Sequence, residues 1–142
     1  FAHGIDVAYS TVVTAEIREK LLKNGFPQKQ YTPDRRELEE KLGKIYKSSA
    51  EGCLKLQDKA GNYAKDRVPI YLQKEEEIRA ILAECPSGEE IKRILALAEL
   101  DIKEFYAEYG ENKINEAIDY AKDLKDRYTV LWMNYDFKEE EK

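Results

Sequence analysis

The 142 residues include two cysteines, one histidine, one methionine and one tryptophan. Cys53 and Cys85 are too few for a disulfide scaffold and lack Cys-x-x-Cys spacing, so reduced thiols in the cytoplasm are expected. His3 is the only imidazole, which excludes a nucleophile–histidine site that needs a second one. The seven glycines are all isolated, so the chain carries no Gly-rich phosphate loop and no Rossmann fingerprint for a nicotinamide cofactor. The four prolines, Pro27, Pro33, Pro69 and Pro86, stand only where a helix would start or stop. No apolar run approaches the roughly 20 residues needed to cross a bilayer, and no basic-then-apolar leader opens the chain, so no membrane is expected as a partner. The lone methionine is Met133 and the first residue is Phe1; a processing product, or a piece of a longer protein, is expected.

Charge is abundant, with 24 Lys and Arg against 29 Asp and Glu, a net 24 − 29 = −5. An acidic balance repels polyanions at long range. The one aromatic–basic interleaving, Tyr120, Lys122, Lys125, Arg127 and Tyr128, has Asp119, Asp123 and Asp126 among its members, which cancel its field; no nucleic acid is expected. With 42% hydrophobic and 37% charged residues, the chain suits amphipathic helices and is too apolar for intrinsic disorder. Its length fits one domain, taken here as 1–137 with a solvated tail at 138–142.

Helical spacing dominates. Ile5, Ala8, Val12, Ala15 and Leu22, with Ile17 and Leu21 beside them, form an unusually wide stripe. Asn24-Gly25 is expected to cap that helix in the left-handed conformation, with Pro27 beyond. Thr32-Pro33-Asp34 reads as a helix start, and Leu38, Leu42, Ile45, Ser49, Cys53, Leu56 and Ala60 continue one run to Gly61-Asn62. Gly43 and Gly52 inside it are expected to mark close packing. A third helix over about Arg67–Glu84 buries Tyr71, Ile78, Leu82 and Cys85. Ser87 with Glu90 forms a capping box for a fourth, carrying Ile91, Ile94, Leu95 and Ala98. Asp101 caps a fifth that ends at Gly110, and a sixth directs Ile114, Ala117, Ile118, Ala121 and Leu124 inward. Thr129–Phe137 is a last short apolar segment. No strand-like alternation competes, and the expected fold class is all-α, a bundle of about six or seven helices.

The chemistry on offer is sparse. His3 and Asp6 share one side if Gly4 opens a helix, but one imidazole and one carboxylate fall short of the three protein ligands usual for a catalytic ion. Cys53 and Cys85 read as structural thiols. Glu75–Glu77 and Glu139–Glu141 read as solvated faces, because neighbours in sequence point apart on a helix.

Three stretches in order resemble one family. Phe1-Ala2-His3-Gly4 with Val7 and Thr11 resembles the metal-ligand His-Gly that opens a helix in the iron-dependent alcohol dehydrogenase-like, or dehydroquinate synthase-like, superfamily. Leu56-Gln57-Asp58-Lys59 with Gly61 and Tyr63 is similar to a mid-domain segment of its sn-glycerol-1-phosphate dehydrogenase branch. Pro86-Ser87 with Glu90-Ile91, then Tyr120-Ala121-Lys122 and Asp126-Arg127-Tyr128-Thr129-Val130-Leu131, resemble that branch's C-terminal end. Ile5, Ala8 and Ser10 depart from the family pattern.

The resemblance implies an enzyme of two domains, a Rossmann-like one binding NAD(P) and a helical one binding a divalent metal (Zn, Ni or Fe). The substrate, a polyol phosphate, would lie between them. It places His3 at the last metal-histidine position and assigns no catalytic or cofactor-binding residue to this chain. An isolated fragment of this kind is expected to be inactive and to hold no cofactor stably. It is also expected to pair with a second copy through the Ile5–Leu22 face, since a bare apolar patch is a liability in water. Glycerol dehydrogenase, another polyol dehydrogenase of the same fold, or a non-catalytic helical interaction domain are the alternatives.

Overall fold

Proline and capping residues set most of the helix boundaries. The structure, a computed structural model, describes residues 1–139, and all its regular elements are helical. In chain order they are α1 (His3–Lys23), α2 (Arg35–Tyr46), α3 (Ala50–Ala60), α4 (Val68–Gln73), α5 (Glu75–Glu84), α6 (Gly88–Leu97), α7 (Ile102–Tyr109), α8 (Glu111–Tyr120) and α9 (Val130–Asp136). Short 3₁₀ turns at Lys47–Ser49 and Ala121–Leu124 join α2 to α3 and extend α8. With α4 and α5 separated only by Lys74, and α7 and α8 only by Gly110, these nine helices form seven runs among the described residues, as the all-α reading expected. The last three residues of the expected tail, and with them most of the Glu139–Glu141 run, lie outside the described residues.

The caps explain the run ends. Asp34, Ser87, Asp101 and Thr129 each accept a backbone N–H of the first turn that follows, from Glu37, Glu90, Lys103 and Leu131, which satisfies donors that a helix start leaves open. Gly61 (φ 68°) and Gly110 (φ 79°) close α3 and α7 in conformations that favour glycine. Three boundaries differ from the sequence expectation. Helix α1 ends on an extended Asn24 (φ −90°, ψ 153°), not on a left-handed cap. Asp34, not Thr32, caps α2. The single long run from Thr32 breaks at Lys47, whose φ of 50° leaves the helical region. Gly43 and Gly52 face open space, with nothing within 4 Å of an added Cβ; their positions mark no close packing.

Contacts gather the chain expected to form one domain over 1–137 into two compact units. Unit 1 comprises Phe1–Phe26 and Tyr71–Asn115. Its centre is α1, whose Tyr9, Val12, Ala15, Ile17 and Leu21 are buried under α5, α6 and α7. Arg79 ties α5 to the end of α1 by donating to the Leu22 carbonyl at 2.9 Å while its guanidinium lies over the Phe26 ring. Arg18 donates to the Pro86 carbonyl, and Glu19 accepts the Gly88 N–H at the start of α6. The wide stripe of α1 is thus largely covered within its own unit, with Ile5, Ala8 and Leu22 half-buried. Cys85, expected inside, is exposed, because α5 gives way to extended backbone at that residue.

Unit 2 comprises Pro27–Ile70 and the chain from Glu116 onward. Leu38, Leu42 and Ala50 form a core cluster against which Tyr46, Leu54, Tyr63 and Tyr120 pack. Arg35 bridges α2 to α3 with two 2.8 Å bonds to the Asp58 carboxylate. Helices α4 and α8 are divided between the units.

Candidate functional site

A buried lysine organises unit 2. Helix α8 ends at Tyr120 and tightens into the 3₁₀ turn Ala121–Leu124. A 3₁₀ turn has three residues rather than 3.6, so the inward stripe shifts register. Leu124, expected inside, is 48% exposed, whereas Lys122 and Asp123 are 5% and 0% exposed.

The Lys122 ammonium makes three hydrogen bonds, to Asp123 Oδ2 at 3.0 Å, the Asp119 carbonyl at 2.9 Å and the Tyr63 hydroxyl oxygen at 3.2 Å. All three of its donors are used. Four rings surround it, with centroids at 4.8 Å (Tyr135), 5.1 Å (Trp132), 5.4 Å (Tyr63) and 5.6 Å (Tyr120), all within cation–π range. Burial lowers its pKa, and the Asp123 charge opposes that shift. Tyr63 also donates to Asp123, and burial followed by the Asp123 charge raises its phenol far above the ordinary tyrosine value.

Two further polar arrangements support this centre. Gln57, 0% exposed on α3, donates to the carbonyls of Asp123 and Lys125 at 3.0 Å each, and accepts from Asn62 at 2.7 Å. This fixes the backbone that turns from α8 toward α9. Asp136, also 0% exposed, accepts from Gln30 at 2.7 Å and from Arg67 at 3.1 Å, and the Arg67 guanidinium lies 4.7 Å from the Trp132 ring centroid. Buried charges tolerate such a site only when paired and hydrogen-bonded. Among the described residues the Tyr135 hydroxyl and the Trp132 ring N–H have no hydrogen-bond partner.

Above Lys122 lies a groove of about 690 Å³, within the range of small-molecule sites. Rings from Tyr31, Tyr120 and Tyr135 line it, with carboxylates from α2 and α8 and the ammonium groups of Lys41 and Lys138. Lys41 pairs with Glu37 at 3.1 Å and Lys138 with Asp119 at 3.2 Å.

The residues singled out from the sequence sit elsewhere. His3 is the exposed first residue of α1, in unit 1. Asp6, one turn on, accepts from the Tyr109 hydroxyl at 2.9 Å. Among the described residues no three His, Cys, Asp or Glu side chains are grouped to hold a metal ion, so His3 is one ligand candidate and these residues do not by themselves fit a metal centre. Gly4 has open space around its missing Cβ. Cys53 is buried on α3, where burial and then Asp123 raise its thiol pKa; that is a structural thiol, not an activated one. Among the described residues no helix is long and apolar enough to cross a membrane.

The sequence reading passed over Gln57, Lys122, Asp123 and Asp136 as site residues. Lys122 and Asp123 read as members of an aromatic–basic interleaving whose field its own acids cancel. The signal available was their position just past the end of α8, where the change of period turns them inward. Compared with known proteins, the chain matches no family model, no curated protein and no solved structure.

Proposed function

We propose that this chain is the helical part of a metal- and NAD(P)-dependent oxidoreductase of the sn-glycerol-1-phosphate dehydrogenase kind, acting in the cytoplasm on a polyol phosphate. The observation that carries the reading is the pairing of two of the resembling stretches in unit 2. Gln57, from Leu56-Gln57-Asp58-Lys59, holds the carbonyls of Asp123 and Lys125, immediately before Asp126-Arg127-Tyr128-Thr129-Val130-Leu131. Within that second stretch, Thr129 caps α9 by accepting from Leu131. The Gln57 contact gives two stretches distant in sequence a shared structural task.

His3, exposed at the start of α1, supplies one imidazole in this reading, and the other ligands and the nucleotide domain belong to parts of the enzyme beyond this chain. A divalent ion held by such a ligand set would supply Lewis-acid polarisation of a substrate oxygen. The role of the chain's own residues is to present His3 from a helix whose apolar face is anchored under α5, α6 and α7.

The test begins with the reading frame upstream of the Phe1 codon. A Gly-rich nucleotide-binding segment followed by an Asp and a His, and NAD(P)H oxidation by the whole product with dihydroxyacetone phosphate, would support the proposal. A start codon immediately upstream, or a product that turns over neither phosphorylated nor free polyols, would end it. For the 142-residue chain alone, calorimetry with Zn²⁺ or Ni²⁺ should show only weak binding. Tight binding abolished by His3→Ala would mean that the chain completes a metal site without outside ligands.

A further inference from the structure

The groove above Lys122 already holds one cation that the chain itself supplies. Lys138 follows α9, and its ammonium sits 5.9 Å from the Tyr31 ring centroid and 6.0 Å from that of Tyr135, at the edge of cation–π range. It also pairs with Asp119 at 3.2 Å. An ammonium group between tyrosine faces and a carboxylate is the arrangement by which proteins recognise organic cations.

The space is larger than one lysine head requires, at about 690 Å³. Acidic groups reach it from separate elements, Asp34 and Glu37 from the start of α2 and Asp119 from α8. The lining holds three lysines against four carboxylates, counting Glu139, and Asp123 adds a fifth directly beneath Lys122. That balance disfavours an anion. It favours a ligand with positive ends and an apolar middle, whose methylenes lie on the tyrosine rings while its ammonium groups meet the carboxylates.

We propose that this groove binds an aliphatic diamine or polyamine, and that Lys138 is the intrachain cation competing for it. The proposal is independent of the dehydrogenase reading, because every group it uses belongs to unit 2 and none is assigned to hydride transfer. A binding site filled part of the time by its own side chain shows an apparent affinity reduced by the fraction left open. Removing the competitor should therefore tighten binding, and removing its carboxylate partner should weaken it.

The experiment is calorimetric titration of the 142-residue chain with putrescine and with spermidine, using the unaltered protein, Lys138→Gln and Asp119→Asn, with circular dichroism melting to confirm that each variant is folded. Lys138→Gln should bind about tenfold more tightly than the unaltered chain. Asp119→Asn should bind more weakly than either, and added salt should weaken all three. Equal affinity in all three proteins would mean that the amines collect on the acidic surface at large, and would overturn the proposal. So would an absence of binding to Lys138→Gln, or tighter binding of a neutral sugar such as glucose than of spermidine.

Discussion

Asp123 draws together three polar side chains of unit 2, those of Lys122, Tyr63 and Gln57. It carries the Lys122 ammonium and the Tyr63 hydroxyl on its two oxygens, while its carbonyl accepts from Gln57. Neutralising one member of a buried pair leaves the other charge uncompensated, which costs about 3–5 kcal/mol. Asp123→Asn should therefore lower the stability measured by urea denaturation by about that much. The double variant Lys122→Met with Asp123→Asn should recover part of the loss, because it removes the stranded ammonium as well. A loss below about 1 kcal/mol in the single variant would show that the pair contributes little beyond its hydrogen bonds. His3, by comparison, is exposed, and its replacement by Ala should leave the same denaturation curve almost unchanged.

Elements were legible in proportion to how local their causes are. Ser87 with Glu90, Asp101 and Gly110 act within one turn of the backbone, and the structure places all of them where the sequence put them. The break at Lys47 was hidden, because Tyr46-Lys47-Ser48 carries no glycine or proline and the apolar spacing runs on through it. The same masking hid the site. Leu124 continues the 3.6-residue period from Ile114, and only the tightening of the chain after Tyr120 sends Lys122 and Asp123 inward in its place. The cover over α1 was invisible for another reason: which helices pack on a stripe is a long-range choice that spacing does not encode. The break itself makes a prediction. Lys47 has φ 50° and ψ −120°, a backbone region that costs a side-chain-bearing residue on the order of 1–3 kcal/mol and glycine much less. Lys47→Gly should raise the urea midpoint of unfolding despite the added freedom of the unfolded chain. A lower midpoint would mean that the lysine side chain stabilises the junction by more than its backbone strain costs.

At the scale of the whole molecule, alkaline pH should be the condition that undoes unit 2. Tyr46 is pushed up to about 12 by burial and then by Asp123, and Tyr63 and Tyr135 are raised further, again mainly by burial. A phenol raised in the folded state contributes stability that is complete below the unfolded tyrosine value of about 10, and that is lost as pH climbs toward the folded value. Lys122 works in the opposite sense. Its lowered folded value makes stability rise with pH until the unfolded lysine value near 10.4 is passed. Denaturation near pH 8 and near pH 11 should thus show a marked loss at the higher value, where three phenols outweigh one amine. Stability that is flat over that interval would contradict the burial of these hydroxyls. The lone tryptophan gives such experiments an unplanned instrument. Trp132 is 1% exposed and belongs to unit 2, so its emission should be blue-shifted in the native protein and should redden only when that unit opens. Unit 1 is dark in this channel, yet it contributes to far-ultraviolet dichroism through α1, α5, α6 and α7. Melting curves recorded by the two optical signals will therefore coincide if the halves come apart together and separate if they do not, with no label attached to the protein.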